Sequence, residues 1–309
     1  MQFFKETSYN FVGNRTPAAF ISGLLIAATI VSIVIRGGLN MSIDFAGGTL
    51  IQVQFEQPVA DDLGTVRTAV AAIAAGTPEV KTLGREGTEI QIIIKSLDDL
   101  SAQGAGSGDQ IRIALEKVFP DNPFSIRRQE QVGPKIGGEL QQQAIWAILL
   151  SLLAIVVYIG FRFHLPFGIA SIVALFHDVI ITIGVFSVFN VEFSLPIIAA
   201  LLTIVGYSLN DTIVVFDRIR ENMAGGAAGK KSFEDRVNMS INQCLSRTII
   251  TSLTTLVVVV AVFASFAGSG DVLSGFAGAL LIGVIVGTYS SIFVASPVLV
   301  YWNRKWPIK

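Results

Sequence analysis

The sequence predicts an α-helical integral membrane protein with six transmembrane helices, plus one α+β domain outside the membrane between helices 1 and 2. Three observations lead there: an apolar bias beyond the needs of a soluble domain, six apolar windows long enough to span, and one long polar segment with strand and helix patterns. Of the 309 residues, 52% are hydrophobic and only 15% charged, with a mean hydropathy of +0.64.

The windows cover about 18–35, 144–161, 167–189, 193–216, 248–267 and 273–302, each near the roughly 20 residues that cross a hydrocarbon core. The first, AAFISGLLIAATIVSIVI, follows Lys5 and Arg15. It exceeds the apolar stretch of about 7 to 15 residues in a cleaved signal peptide and reads as a retained signal anchor. Cys244 is the only cysteine, so an internal disulfide framework is excluded.

Short loops carry the orientation. Arg162 and His164 lie between windows two and three, and Arg218, Arg220, Lys230, Lys231, Arg236 and Arg247 between four and five. Arg304, Lys305 and Lys309 close the chain, whereas 190–192 and 268–272 hold only Glu192 and Asp271. By the positive-inside rule both termini are cytoplasmic. The organisation expected is an N-terminus over 1–17, a first span at 18–35, an external domain over 36–140, and spans 2 to 6 within 141–303. A basic cytoplasmic loop at 217–247 divides those spans, and a tail follows at 304–309.

Within 36–140, 10 Lys/Arg face 14 Asp/Glu, which does not oppose this orientation because long domains translocate largely regardless of charge. TLIQVQF (49–55) alternates as a strand, 61–75 has a helical Val66, Val70, Ile73 stripe, and 80–84 and 89–95 read as two further strands. A Gly/Ser-rich connection leads into a helix over 108–119, and FSIRRQEQV (124–132) is a fourth strand. The order βαββαβ is that of ferredoxin-like domains, which leave a sheet face and edges for an extended chain. Scattered acids without Cys or His give no metal site there. Gly47, Gly48, Gly133, Gly137 and Gly138 flank the domain in IDFAGGTL and VGPKIGGEL. Neither run has phosphate-loop spacing, so turns or hinges are expected.

Polar groups inside the spans are the candidate functional residues, because a charge facing lipid costs about 2.5–3.5 kcal/mol on insertion scales. Asp211 lies about 9 Å from the cytoplasmic end of its span at 1.5 Å per residue. Asn210, Tyr207, Gly206 and Thr203 are expected on its face. The fifth span opens with Arg247 and continues with Thr248, Thr251, Ser252, Thr254 and Thr255. Asp211 and Arg247 are expected at similar depth on neighbouring helices. Burial favours the neutral acid and a cation the charged one, and a group between these influences exchanges protons. A fixed ion pair, or an Arg247 snorkelling to headgroups while Asp211 stays neutral and hydrogen-bonded to Tyr207 or Ser208, is the alternative. His177 and Asp178 are adjacent and point about 100° apart, so they are not expected to form one dyad; packing and relay roles both stand. Gly275, Gly283, Gly287 and Ser291 recur with Ala279 and Ala295 every four residues, a ridge for close helix packing.

No catalytic constellation converges. Intramembrane aspartyl proteases carry a Gly-x-Gly-Asp run, whereas Ser208, Leu209 and Asn210 precede Asp211 here. With two histidines in the chain, no metal is expected. No enzyme activity, cofactor or nucleic-acid partner is expected.

IDFAGGTL, VGPKIGGEL, FRFHLPFGIASIVALFHDVIITIG, VGYSLNDTIVVFDRIREN and SRTIITSLTT occur in this order and together resemble the SecF family of bacterial protein-export membrane subunits. The resemblance implies one six-span half of a fold related to the resistance-nodulation-division exporters, with SecD as the other half. It implies an inner-membrane location and a periplasmic external domain. It also implies association with the SecYEG channel and, in many bacteria, YajC, and contact with the exported polypeptide and membrane lipid. Such subunits use the proton motive force to promote late translocation, while SecA hydrolyses ATP elsewhere. The family's proton-coupling carboxylate matches Asp211 in SLNDT and its functional arginine matches Arg247 in SRTI; Asp178 fits a family motif. A proton-coupled small-molecule or lipid exporter of the same superfamily, and a scaffold that transduces no energy, are the competing functions.

Overall fold

The computed structural model describes residues 7–73, 77–84, 86–95, 107–224, 231–268 and 272–308. Lys230, Asp271 and the Gly/Ser-rich connection before the second domain helix, all invoked above, lie outside them, as does the end of the stripe helix expected to reach residue 75.

Helix α1 (Arg15–Arg36) is the first span. It stops at Gly37, whose φ of +71° places it in the left-handed region. Gly37 and Gly38 N–H then satisfy the carbonyls of Val34 and Ile33, the paired closure that lets a helix end without orphaned acceptors. A short α2 (Ile43–Ala46) is capped by Ser42, which accepts from Asp44 N–H. The chain then enters β1 (Gly48–Phe55) through Gly47 and Gly48, with φ of +74° and +136°.

The external domain follows as α3 (Leu63–Ala71), β2 (Glu79–Leu83), β3 (Glu89–Ile94), α4 (Ser107–Val118) and β4 (Phe124–Val132). The sheet order is β2-β3-β1-β4 and every pairing is antiparallel, so the βαββαβ expectation holds. Strand alternation sorts the faces. Ile51, Val53 and Phe55 of β1 and Ile90, Ile92 and Ile94 of β3 join Val66, Val70, Ile111 and Leu115 of the two helices in one core. On the opposite face Leu50 and Ile93 pack on Ile43, while Gln52, which donates to Glu89, and the Arg128–Glu130 pair are polar.

Five helical stretches complete the membrane part: α5 (Pro134–Arg162), α6 (Leu165–Val188), α7 (Leu195–Ala224), α8 (Phe233–Phe266), and α9 (Val272–Ser290) continued by α10 (Ser296–Lys305). Among the described residues six segments are long and apolar enough to cross a membrane, and the chain is a multi-pass membrane protein. Of the span windows, 56% of α6, 56% of α7 and 44% of the sixth are buried, against 17% of α1 and 11% of α5 and α8. The middle of the bundle is therefore α6, α7 and α9.

A π-helical turn, Ser291–Ala295, joins α9 to α10. Pro297 explains it: proline lacks the N–H that would bond Phe293 O, and its ring clashes with that carbonyl, which the wider turn relieves. Ser296 Oγ donates to Ser291 O at 3.0 Å within this turn.

The region assigned to a basic loop at 217–247 is mostly helix. Polar extensions of α7 to Ala224 and of α8 from Phe233 fill it, because an apolar window marks where lipid begins and a helix can continue past it. Ser232 accepts from Asp235 N–H to start α8. Asn238 and Asn242 of α8 hold the N-terminal segment by hydrogen bonds to Tyr9 and Val12.

The domain is stitched to the bundle where the two glycine pairs lie. Phe193, between α6 and α7, exchanges backbone bonds with Asn40 and Ser42, and Asp44 Oδ2 accepts Leu195 N–H at the start of α7. The turn or hinge expectation needs correction at Gly137 and Gly138, which lie inside α5. A Cβ on Gly137 would sit 2.9 Å from Phe45 O, so this glycine permits close packing of α5 on α2. Gly133 precedes α5 in ordinary extended geometry.

Candidate functional site

Helix α9 lies close to α7 because its small residues leave room. A Cβ on Gly283 would come within 2.3 Å of Ile204, one on Gly287 within 3.0 Å of Ser208, and one on Gly275 within 3.5 Å of Ile197. Ser291 continues the ridge into the π-turn, where its Oγ donates to Thr288 O. The ridge sequence thus faces α7, and α9 brings hydroxyls to Asp178 of α6 and, through Ser252, to Asp211 of α7.

Asp211 is 4% exposed. Its Oδ2 accepts from Ser252 Oγ of α8 at 3.3 Å. Thr288 Oγ1 of α9 lies 2.7 Å from Ser252 Oγ and 2.7 Å from Val284 O. This chain of hydroxyls serves either state of the acid. A charged Asp211 accepts a hydrogen bond from Ser252, and Thr288 donates to Ser252. A protonated Asp211 donates to Ser252, which donates to Thr288, which donates to Val284 O.

The polar face expected around Asp211 divides in two. Asp211 turns inward, while Thr203, Gly206 and Asn210 are exposed and Tyr207 is half-buried, its hydroxyl without a hydrogen-bond partner among the described residues. Asn210 precedes Asp211 by one residue and so points about 100° away. The exposed face continues on α8 with Arg247 and Thr254. Arg247 makes no ion pair among the described residues. It lines an open cavity of about 1090 Å³ with Arg218, Lys231, Asn238 and Thr251. A direct Asp211–Arg247 pair is therefore absent in this arrangement, and the acid is held by Ser252 instead.

His177 and Asp178 overturn the expectation that neighbours on a helix cannot pair. Nδ1 of His177 lies 3.0 Å from Asp178 Oδ1. The 100° step separates Cβ directions, but an imidazole has two side-chain torsions and swings its near nitrogen back to the next residue. Asp178 is 0% exposed and its Oδ2 accepts from Ser208 Oγ at 2.5 Å and Ser290 Oγ at 2.7 Å. His177 Nε2 reaches Ser22 Oγ of α1 at 3.0 Å. Sequence reasoning missed Ser22, Ser290 and Tyr289, and offered Ser208 as a partner for Asp211 rather than Asp178; single hydroxyls in an apolar helix carry little pattern, since they also satisfy their own backbone.

A second cavity, of about 430 Å³, lies between the sheet and the bundle. Glu192 lines it with a buried Oε1 that has no hydrogen-bond partner among the described residues. Burial holds this carboxyl above the usual carboxylate range, with Lys81 and Lys95 opposing and Glu79 and Asp44 adding to the rise. No group of three or more His, Cys, Asp or Glu side chains suited to a metal is found among the described residues.

Comparison with known proteins gives a consistent picture. The family described as protein export membrane protein SecD/SecF, C-terminal, matches residues 111–305, and the SecD/SecF GG motif matches 31–59. Protein translocase subunit SecF of Desulfurispirillum indicum is 47% identical over 297 residues, covering 96% of this chain and 92% of that one. The SecF of Thermodesulfovibrio yellowstonii is 42% identical over 311 residues, covering 100% and 99%. The crystal structure of SecDF, a translocon-associated membrane protein from Thermus thermophilus, superposes with a TM-score of 0.82 at 38% identity over 97% of this chain. SecDF in a super-membrane-facing form gives 0.68 at 36% identity over 99%. The chain spans 39% and 40% of those two solved chains. The chain belongs to the SecD/SecF family of protein export membrane proteins.

Proposed function

We propose that this protein is an auxiliary subunit of the Sec protein translocase that works with SecD and uses the proton motive force to promote export across the bacterial inner membrane. Its termini are cytoplasmic, its β-sheet domain is periplasmic, and it associates with SecYEG and YajC. The exposed polar face of Thr203, Gly206 and Asn210 on α7, with Arg247 and Thr254 on α8, is unsuited to lipid and forms the seat for SecD.

The observation that carries this reading is Asp211, a buried membrane carboxylate with one long hydrogen bond and a hydroxyl chain that accommodates both of its charge states. Proton uptake removes the charge and its attraction for Arg247, so α7 and α8 repack. The N-terminus of α7 is tied to Asp44, next to Gly47 and Gly48, so a shift of α7 reaches the periplasmic sheet. The open polar face of that sheet holds the emerging polypeptide.

Asp211→Asn in the complex with SecD tests it. Co-purification with SecD is expected to persist while export into inverted membrane vesicles loses its dependence on the proton gradient. Full gradient-driven export by this variant would overturn the reading and leave the scaffold role.

A further inference from the structure

We propose that His177 and Asp178 form a one-proton dyad that reports the position of α7 through Ser208. The proton sits on His177 Nδ1 while Ser208 is engaged and crosses to Asp178 Oδ1 when α7 withdraws.

Donor counting fixes the far side of the ring. Tyr289 OH donates to Ala18 O at 2.8 Å, which uses its single hydrogen. Ser22 Oγ, 3.1 Å from the Tyr289 oxygen, must then donate to it. Ser22 therefore has only lone pairs for His177, and the 3.0 Å contact requires a hydrogen on Nε2. With Nε2–H settled, the Nδ1···Oδ1 contact needs one proton and has room for one. On Nδ1 it makes an imidazolium–carboxylate pair; on Oδ1 it makes a neutral pair. Net charge is zero in both, which suits a site where neither side chain meets solvent.

The position of that proton depends on Oδ2. Two hydroxyls donate to it, Ser208 from α7 and Ser290 from α9, whose single hydrogen is closer to Asp178 Oδ2 at 2.7 Å than to its other acceptor, Gly287 O, at 3.1 Å, and hydrogen bonds to a carboxylate favour its charged form. With both engaged, the ion pair is preferred. Withdrawal of Ser208 removes one donor, and the proton moves from nitrogen to Oδ1, with none entering or leaving. Among the groups bonded to or stacked on the dyad, Tyr289 is the other titratable one; its ring stacks on His177 at 5.9 Å. Helix α1 contributes Ser22 and α7 contributes Ser208, neither charged. Asp211 lies three residues after Ser208 on α7, so the two acids share a helix, and the dyad's response to Asp211 rests on the function proposed above.

The chain contains only two histidines, so nitrogen-15 histidine labelling of the protein complexed with SecD in lipid bilayers, with His164→Gln to remove the other signal, reads this ring alone. Both ring nitrogens are expected to be protonated in this parent. Ser208→Ala and, as an independent route to the same oxygen, Ser290→Ala are each expected to move Nδ1 toward an unprotonated resonance while Nε2 keeps its proton. An unprotonated Nε2, a neutral ring in the parent, or no change in Nδ1 in both serine variants would overturn the dyad. Asp211→Asn is expected to shift Nδ1 in the same direction. If it leaves Nδ1 unchanged yet still abolishes gradient-driven export, the link between the two acids fails and the role of Asp211 stands. If it exports normally while the serine variants behave as expected, the dyad stands alone.

Discussion

Asp178 and Asp211 are both buried aspartates on central membrane helices, yet their surroundings differ. Asp178 meets three side-chain partners from three helices and is closed off from solvent. Asp211 has one, at 3.3 Å, and its neighbour Arg247 lines a wide polar cavity. A carboxylate held by several short donors keeps its geometry and ties helices together; one with a single long donor loses little when its charge changes. The difference assigns to the first acid a cluster of constant net charge that joins three helices, and to the second a change of net charge.

The largest expected effect tests that division directly. Asp178→Ala breaks a buried pair and orphans Ser208, while Ser290 keeps Gly287 O as an acceptor, so thermal unfolding in detergent should show a loss of about 3–5 kcal/mol. Asp211→Asn, whose amide oxygen still accepts from Ser252, should stay within about 1 kcal/mol of the parent. Equal losses at the two positions would break the comparison.

Gly283→Ala is next. Its Cβ would sit 2.3 Å from Ile204, and such overpacking costs about 1–3 kcal/mol. Because α9 supplies Ser290 to one acid and Thr288 to the chain at the other, both sites should be disturbed, and Ile204→Ala should partly restore a double variant. Failure of that rescue would mean that the ridge does not set the distance between α7 and α9.

Ser252→Ala removes the one donor to Asp211 and should cost about 1–2 kcal/mol, less than Asp178→Ala. It should also alter the pH profile of gradient-driven export. An unchanged profile would show that the hydroxyl chain has no part in the charge change.

Glu192, outside the spans, is a third kind of acid and the smallest effect. Burial raises its carboxyl, so the folded protein binds this proton more tightly than the unfolded chain does. That stabilisation is complete below the ordinary carboxylate range and is lost as pH rises through the raised value. Glu192→Gln should flatten this part of the stability profile and leave the parent the less stable of the two at neutral pH. A profile identical to the parent's would remove Glu192 from the comparison.

Much of this architecture was legible in the sequence because its causes are local. Apolar runs report the spans, alternation at 49–55 and 89–95 reports strands with one buried side, and the Val66–Val70 stripe reports the helix that covers them. The four-residue recurrence of Gly283 and Gly287 reports a close-packing face. A charge inside an apolar run marks Asp211 and Asp178 as interior without any knowledge of their partners.

Tertiary structure alone decided what each acid touches. Ser208, Ser290 and Ser22, which complete the Asp178–His177 cluster, stand 30, 112 and 155 residues from their partners in sequence, and no periodicity within one helix encodes such distances. It also decided that Asp211 turns to Ser252 while Asn210 faces outward, and that Arg247 has no ion-pair partner among the described residues. Composition fixes the cost of a charge in the membrane and so forces it inward. The rotation of one packed helix against another selects the hydroxyl that meets it.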